Sequence, residues 1–359
     1  DMLEGIRIIE IEGLGPGPFA SMMLADLGAD VIVVHRHSQP MPGMPERNII
    51  DRGRRSIFLN LKEENDLKNL KKLLQTSDGL IEGFRPGVME RLGVGPEVVL
   101  KENPSLVYGR MTGWGQDGPK SKQAGHDLNY IGLSGALWYA SPAGQAPFTP
   151  PTLVGDIGGG SLYLVAGMLA GLLNAQKTGK GTVVDAAIVD GSAHMMNLLM
   201  STQVAGLLSP TRGESFLDGP PWSRCYSTAD NKWISVQCLE PKFYEEFVKT
   251  MGLSENTDFA SQMDQSTWPK MKKELTKCFS KQPLDHWQDL FEGSDACVEP
   301  VFTPEESKHH PHINERDIWV EVDDQLQASP APRFDNSIKE IKKSPRRGEH
   351  TQEILDSIL

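Results

Sequence analysis

Cysteine is scarce: four in 359 residues, at Cys225, Cys238, Cys278 and Cys297, all in the second half of the chain. None has the close pairing of a zinc site, and so few thiols imply a reducing compartment rather than a disulfide framework. A long apolar run is also missing. No uninterrupted stretch approaches the ~18 residues of a membrane-crossing helix, so neither a span nor a membrane partner is expected. The opening DMLEGIRIIEIEG lacks the basic, apolar and small-residue zones of a secretory leader. The closing Ser-Ile-Leu is not the Ser-Lys-Leu peroxisomal address. A cytoplasmic location is expected, with the mitochondrial matrix as the alternative. Positive charge is short as well: 36 Lys and Arg against 48 Asp and Glu leave a net charge of -12. That balance argues against nucleic acid as a partner, and an anionic ligand would need a local basic patch.

What is present is the composition of a globular enzyme, 38% hydrophobic and 23% charged. The length exceeds one simple core and predicts two domains. IRIIEI, ADVIVVHR, SIFLNL, GLIEGF and SLVYGRMTG read as strands, with helical periodicity in FASMMLADLG, residues 63–76 and GPEVVLKENP. This alternation predicts an α/β fold with a mainly parallel sheet and helices on both faces. Residues 158–176 are apolar all round, which predicts a buried helix, and the Met-rich stretch 191–208 continues in helix-compatible form. A turn-rich segment, TRGESFLDGPPWSRCYST, precedes a second region with its own strand (KWISVQCL) and helices at 242–251, 268–281 and 284–292.

GLGPGP after the first strand invites a dinucleotide reading, but Pro18 stands where G-x-G-x-x-G needs its last glycine. The second strand ends in His35-Arg36-His37 rather than the acid that holds a ribose hydroxyl, and a basic end suits a phosphate. Arg36, Arg47, Arg52, Arg54, Arg55 and Lys62 cluster nearby, followed by Arg85 and Arg91. Arg36 and Arg85 fall just beyond strand ends, where ligands of open α/β sheets sit, and arginine forks grip phosphate oxygens; a solvated charged face would look the same. AGHDLNY (124–130) and LVGDIGGG (153–160) offer His126 and Asp156 as a candidate acid/base pair, with the glycines at 158–160 expected to present N–H groups to developing negative charge. His309, His310 and His312 lack a supporting cysteine and predict a polar loop, not a metal site. The basic tract KKSPRR (342–347) predicts a solvated surface against a helix.

GLGPGPFASMMLADLGADV, EGFRPGVMERLGVGPE, MTGWGQDGP, AGHDLNY, LVGDIGGG, GKGTVVDAAIVDGSA, LEPKFYEEF and SDACVEPV together resemble the 2-methylacyl-CoA racemases of the family III CoA-transferase superfamily, nearly end to end. The resemblance implies an intertwined homodimer with shared active sites. It implies a large CoA-binding Rossmann-like domain over 1–190, a linker helix and loop over 191–225, a smaller α/β domain over 226–320, and a return linker and C-terminal helix over 321–359. It assigns His126 and Asp156 as the two acid/base groups and Glu240 as the partner of the histidine from the other subunit. It places CoA at Arg36, Leu59, Asn60, Leu61, Lys62, Gly83, Phe84, Arg85, Arg91, Gly125, His126, Asp127, Leu128, Asn129 and Tyr130.

The implied reaction is inversion of the α-carbon of a 2-methylacyl-CoA by 1,1-proton transfer through an enolate, with no metal and no cofactor beyond the CoA of the substrate. The rival on the same fold is a CoA transferase in which Asp127 is the nucleophile. His126 immediately before it favours the racemase pattern. Two departures bear on the acyl group. LDGPPWSRCY, with Trp222 and Arg224, stands where these racemases usually read LDGGAPFY, and Thr152 stands where asparagine is usual. Both places border the acyl pocket in the family pattern, so Arg224 is expected to favour a polar or carboxylated acyl chain.

Overall fold

Six short strands form one sheet. In the computed structural model, which describes residues 1–39, 42–140 and 142–359, these are β1 (Arg7–Ile11), β2 (Asp30–His35), β3 (Arg55–Phe58), β4 (Gly79–Glu82), β5 (Val107–Thr112) and β6 (Thr182–Ala187). All pairs are parallel, in the order β3-β2-β1-β4-β5-β6. Parallel strands need crossovers, and the helices between them are α1 (Pro16–Asp26), α2 (Glu64–Gln75), α3 (Val88–Arg91), α4 (Pro96–Glu102), α5 (Asp127–Ser134) and α6 (Leu162–Thr178), with α7 (Ile188–Met195) following β6. Alternate residues of each strand serve opposite faces. Ile9, Ile32, Ile57 and Leu80 pack with Leu70 and Leu73 of α2, whereas Ile8, Val31, Ile81 and Val107 pack with Leu24 of α1 and Leu164 and Met168 of α6. The strand order reverses between β1 and β4, which opens a crevice beyond their carboxyl ends.

The long apolar helix differs from expectation. It starts at Leu153 as a π-helix to Ser161 and continues as α6. Leu164, Val165, Met168 and Leu172 are buried, but Leu162 and Leu173 are 42% and 53% exposed, so only one side is core. The Leu153–Thr178 stretch is also long and apolar enough to cross a membrane by length and composition, although Asp156 interrupts its apolar run. A core helix of a layered fold passes the same test, and the buried side of this one lies on β5 and β6. The stretch 191–208 is not one helix. After α7 and the short α8 (Asn197–Met200), the hydroxyls of Ser201 and Thr202 bond back to the carbonyls of Leu198 and Leu199, and turns follow.

Two compact units result: Asp1–Leu137 with Phe148–Asn197 and Asp317–Leu359, and Trp138–Pro147 with Leu198–Arg316. The second unit carries the antiparallel sheet β7 (Ser223–Ser227), β8 (Trp233–Gln237) and β9 (Val298–Val301). Against it lie α9 (Pro241–Thr250), α10 (Trp268–Phe279) and α11 (Leu284–Phe291), followed by α12 (Pro304–Lys308) and α13 (Pro311–Glu315). An aromatic core of Trp222, Tyr226, Phe247, Phe279 and Phe291 holds it together. The four cysteines are free thiols. His310 accepts the N–H of His312 at the start of α13 and His309 faces Glu305.

The chain then returns to the first unit through the hairpin β10 (Trp319–Val322) and β11 (Gln325–Ala328) to α14 (Thr351–Ser357). The tail caps the open edge of β3: Ser56 donates its N–H to His350, His350 returns its N–H to the Ser56 carbonyl, and Phe58 donates to Thr351. The basic tract before it is not simply solvated. Arg346 pairs with Glu46, and Arg347 enters the first unit to pair with Glu12.

Candidate active site

The His126-Asp127 step and the Asp156 loop meet within the first unit. Asp127 opens α5, and His126 is its N-cap in extended conformation, with the His126 N–H donated to Asn129 Oδ1 at 3.0 Å. Asp127 Oδ1 in turn accepts the Asp156 N–H at 2.8 Å. A side chain at Gly155 would prevent this, because its Cβ would stand 2.3 Å from Asp127 Oδ1. The far side of the π-helix is held as closely: a Cβ on Gly191 of α7 would lie 1.8 Å from the Gly159 carbonyl oxygen. The GLGPGP loop closes the third side. A Cβ on Gly15 would stand 3.8 Å from Asp156 Oδ2, and Ser161 Oγ donates to the Pro16 carbonyl at 2.7 Å.

These contacts set the acidity of Asp156. Burial pushes its carboxyl up to about 6, the neighbouring Asp127 carboxylate adds to the rise, and His126 opposes it. A carboxyl titrating there exchanges a proton near neutrality, which an ordinary aspartate does not. Its setting is a π-helical turn, a form enriched at functional sites. In such a turn each N–H bonds five residues back, as Ile157 does to Thr152 at 3.0 Å, so Gly158 to Gly160 do not present free N–H groups. The positive end of this helix is instead its first turn, where Asp156 sits.

Thr152 precedes that turn at φ 68, a left-handed conformation that costs a β-branched residue energy. Asparagine, the residue expected there from the resemblance, adopts it readily. Thr152→Asn is expected to raise stability by roughly 0.5–1 kcal/mol, read as an upward shift of the thermal midpoint.

The family whose pattern matches residues 3–351 is CoA-transferase family III. The chain belongs to that family. It is 41% identical to the alpha-methylacyl-CoA racemase of Mus musculus over 358 residues, covering 99% of this chain and 92% of the relative. It is also 41% identical to the alpha-methylacyl-CoA racemase of Homo sapiens, with the same coverage. A crystal structure of a CAIB/BAIF family protein from Brucella suis superposes with a TM-score of 0.84 at 23% identity, covering 99% of both chains, and supports the α/β fold with its parallel sheet.

The remaining family III positions divide by place. Arg36, Asn60, Lys62, Gly83, Arg85 and Arg91 are exposed around the carboxyl ends of β2, β3 and β4, with Phe84 and Leu61 half-buried and Leu59 buried beneath them. Leu128 and Asn129 are exposed on α5, and the Tyr130 hydroxyl bonds to the Gly125 carbonyl while its ring meets Trp114 edge-on. The basic cluster is therefore split. Arg52 pairs with Asp26, Arg54 with Glu10 and Asp51, Arg55 with Asp30, and Arg47 with Glu349, so these four serve the fold. Among the described residues, Lys62, Arg85 and Arg91 make no ion pair.

Glu240 belongs to the second unit, exposed at the start of α9, where its carbonyl accepts the N–H groups of Phe243 and Tyr244. Trp222 does not line an acyl pocket. It is fully buried in the second unit's core, its indole N–H donated to the Gln262 carbonyl, because its large ring fills the space between Phe216 and Trp268. Arg224 is exposed and lies over the Tyr226 ring. Glu12 carries no signal in the sequence, and Arg347 reads there only as part of the solvated tract 342–347, until the fold joins them.

Proposed function

We propose that this family III protein is a racemase of 2-methylacyl-CoA thioesters, with His126 and Asp156 as the acid/base pair. The reading rests on one observation above others: Asp156, its carboxyl raised to about 6, sits within electrostatic reach of His126 on a turn fixed by Asp127. Inverting a carbon next to a thioester requires removing a proton from one face and supplying one to the other. Neutral His126 takes the proton of the S isomer while protonated Asp156 supplies the opposite face, and the R isomer reverses the roles. The enolate between them is favoured by the positive end of the Leu153–Thr178 helix.

CoA lies across the crevice between β1 and β4, with Arg36, Lys62, Arg85 and Arg91 toward its phosphates. The strand order is that of a doubly wound, Rossmann-like sheet, which supports this placement. Glu240 of the partner subunit completes the site beside His126 in an intertwined homodimer; the exposed Leu128, Leu133, Leu153 and Leu162 of the first unit supply apolar surface for such an assembly. No metal or further cofactor takes part.

The rival transferase chemistry needs Asp127 as a free nucleophile. Its Oδ1 accepts the Asp156 N–H, an anchoring contact compatible with either chemistry, so a variant is needed to separate the two. Asp127→Asn keeps an acceptor oxygen but removes the negative charge that raises Asp156. The variant is expected to racemise, with the Asp156-linked limb of its kcat/KM profile moved from near pH 6 to lower pH. Loss of all turnover, with accumulation of an acyl-enzyme in wild type, would favour the transferase.

The direct experiment follows the α-proton of a 2-methylacyl-CoA by NMR in deuterated water with no acceptor acid. Exchange with loss of optical purity is expected. An absolute requirement for a carboxylic acid acceptor, with ping-pong kinetics, would overturn the proposal.

A further inference from the structure

Arg36 is held from both sides by residues outside the family's CoA positions. Glu12, just past the carboxyl end of β1, accepts the Arg36 N–H through Oε2 at 2.8 Å, and the same oxygen lies 3.8 Å from the Arg36 Nε. Arg347, from the returning tail, donates to Glu12 Oε1 at 2.5 Å and to Oε2 at 3.3 Å, and to the Arg36 carbonyl at 2.9 Å. Both backbone polar groups of Arg36 are thus gripped by side chains, while its side chain remains 68% exposed. These residues border a cavity of about 560 Å³ that also reaches Gly15, the glycine beside Asp156.

The charges explain the arrangement. Burial opposes ionisation of Glu12, yet the hydrogen bonds from Arg347 and from the Arg36 N–H hold its carboxyl below the usual carboxylate range. An unpaired carboxylate here would draw the Arg36 guanidinium to itself and repel a phosphate. The bidentate grip of Arg347 neutralises that carboxylate and leaves Arg36 available to an anion. The Arg347 side chain is only 17% exposed and is delivered by a well-anchored tail, since the Gly348 N–H bonds to Ser56 Oγ at 2.7 Å.

We infer that Arg347, acting through Glu12, is a positioning residue for the phosphate-binding end of the acyl-CoA site: it frees Arg36 to engage the CoA phosphates. This rests on the reading above, in which Arg36 is a phosphate ligand.

The test compares a 2-methylacyl-CoA with the corresponding acyl-pantetheine, which has the thioester but no nucleotide phosphates. Arg347→Met is expected to raise KM for the acyl-CoA about tenfold with kcat little changed, and to alter kcat/KM for acyl-pantetheine less than twofold. Adding Glu12→Gln to Arg347→Met removes the unpaired carboxylate and is expected to restore KM to within about twofold of wild type, a rescue that a merely structural defect would not allow. Equal loss on both substrates, or no rescue in the double variant, overturns the positioning role. Arg36→Ala run in parallel checks the premise. If it does not distinguish the two substrates, the phosphate-binding role of Arg36 fails, and this inference with it. If it does while Arg347→Met does not, the inference alone fails.

Discussion

Asp156→Asn and His126→Ala are each expected to lower racemisation by about 10²–10⁴-fold and to leave exchange on one face only. With His126 intact, Asp156→Asn still exchanges the α-proton of the S isomer but returns deuterium to the same face, so the label enters without inversion. His126→Ala does the same for the R isomer. Chiral analysis of substrate recovered from deuterated water separates these outcomes. Neither change removes a contact that holds the fold. The Asp156 bond to Asp127 and the His126 bond to Asn129 both run through the main chain. Exchange of both isomers by either variant would mean that a single group serves both faces.

Arg54→Met is expected to destabilise the first unit by about 3–5 kcal/mol at pH 8, because it strands a buried carboxylate. Glu10 in the middle of β1 is fully buried, and Arg54 is its ion-pair partner and also bonds Asp51. Burial raises the Glu10 carboxyl to about 7 despite that pair. The sign of the pH dependence follows. The unfolded chain releases this proton near 4.5 and the folded one near 7, so the contribution of Glu10 to stability is fully present below 4.5 and is lost as pH rises toward and through 7. Without Arg54 the loss is larger and extends to higher pH, because the main influence holding the value down has gone. Urea unfolding of Arg54→Met at pH 5 and pH 8 is expected to show the larger deficit at pH 8. An equal deficit at both would mean that Glu10 does not carry the effect.

The sheet is legible in the sequence because parallel strands buried on both faces need near-continuous β-branched residues, and IRIIEI and DVIVVH supply them. The proposed acid/base pair, His126 and Asp156, is only a weak signal in the sequence without the surrounding motifs. The π-helix is not legible, because LVGDIGGG has glycine's low helix propensity and no helical period. Close packing against α7 selects the conformation. The charge pairs are hidden for a different reason. Glu10 and Arg54 are 44 positions apart, and Glu12 and Arg347 are 335 apart, so a basic tract reads as solvated when its partner is nowhere near it in sequence. Trp222 misleads in the opposite sense. A residue that departs from a family pattern invites a functional reading, yet here it fills the core of the second unit.

The central claim is that two groups on opposite faces carry the proton. Its most direct measurement is the deuterium content of product formed in the first turnovers, starting from the S isomer of a 2-methylacyl-CoA in deuterated water. Two-face transfer by His126 and Asp156 predicts R product carrying solvent deuterium at Cα from the outset, while unreacted S isomer lags in label. R product that retains the original substrate hydrogen would contradict it.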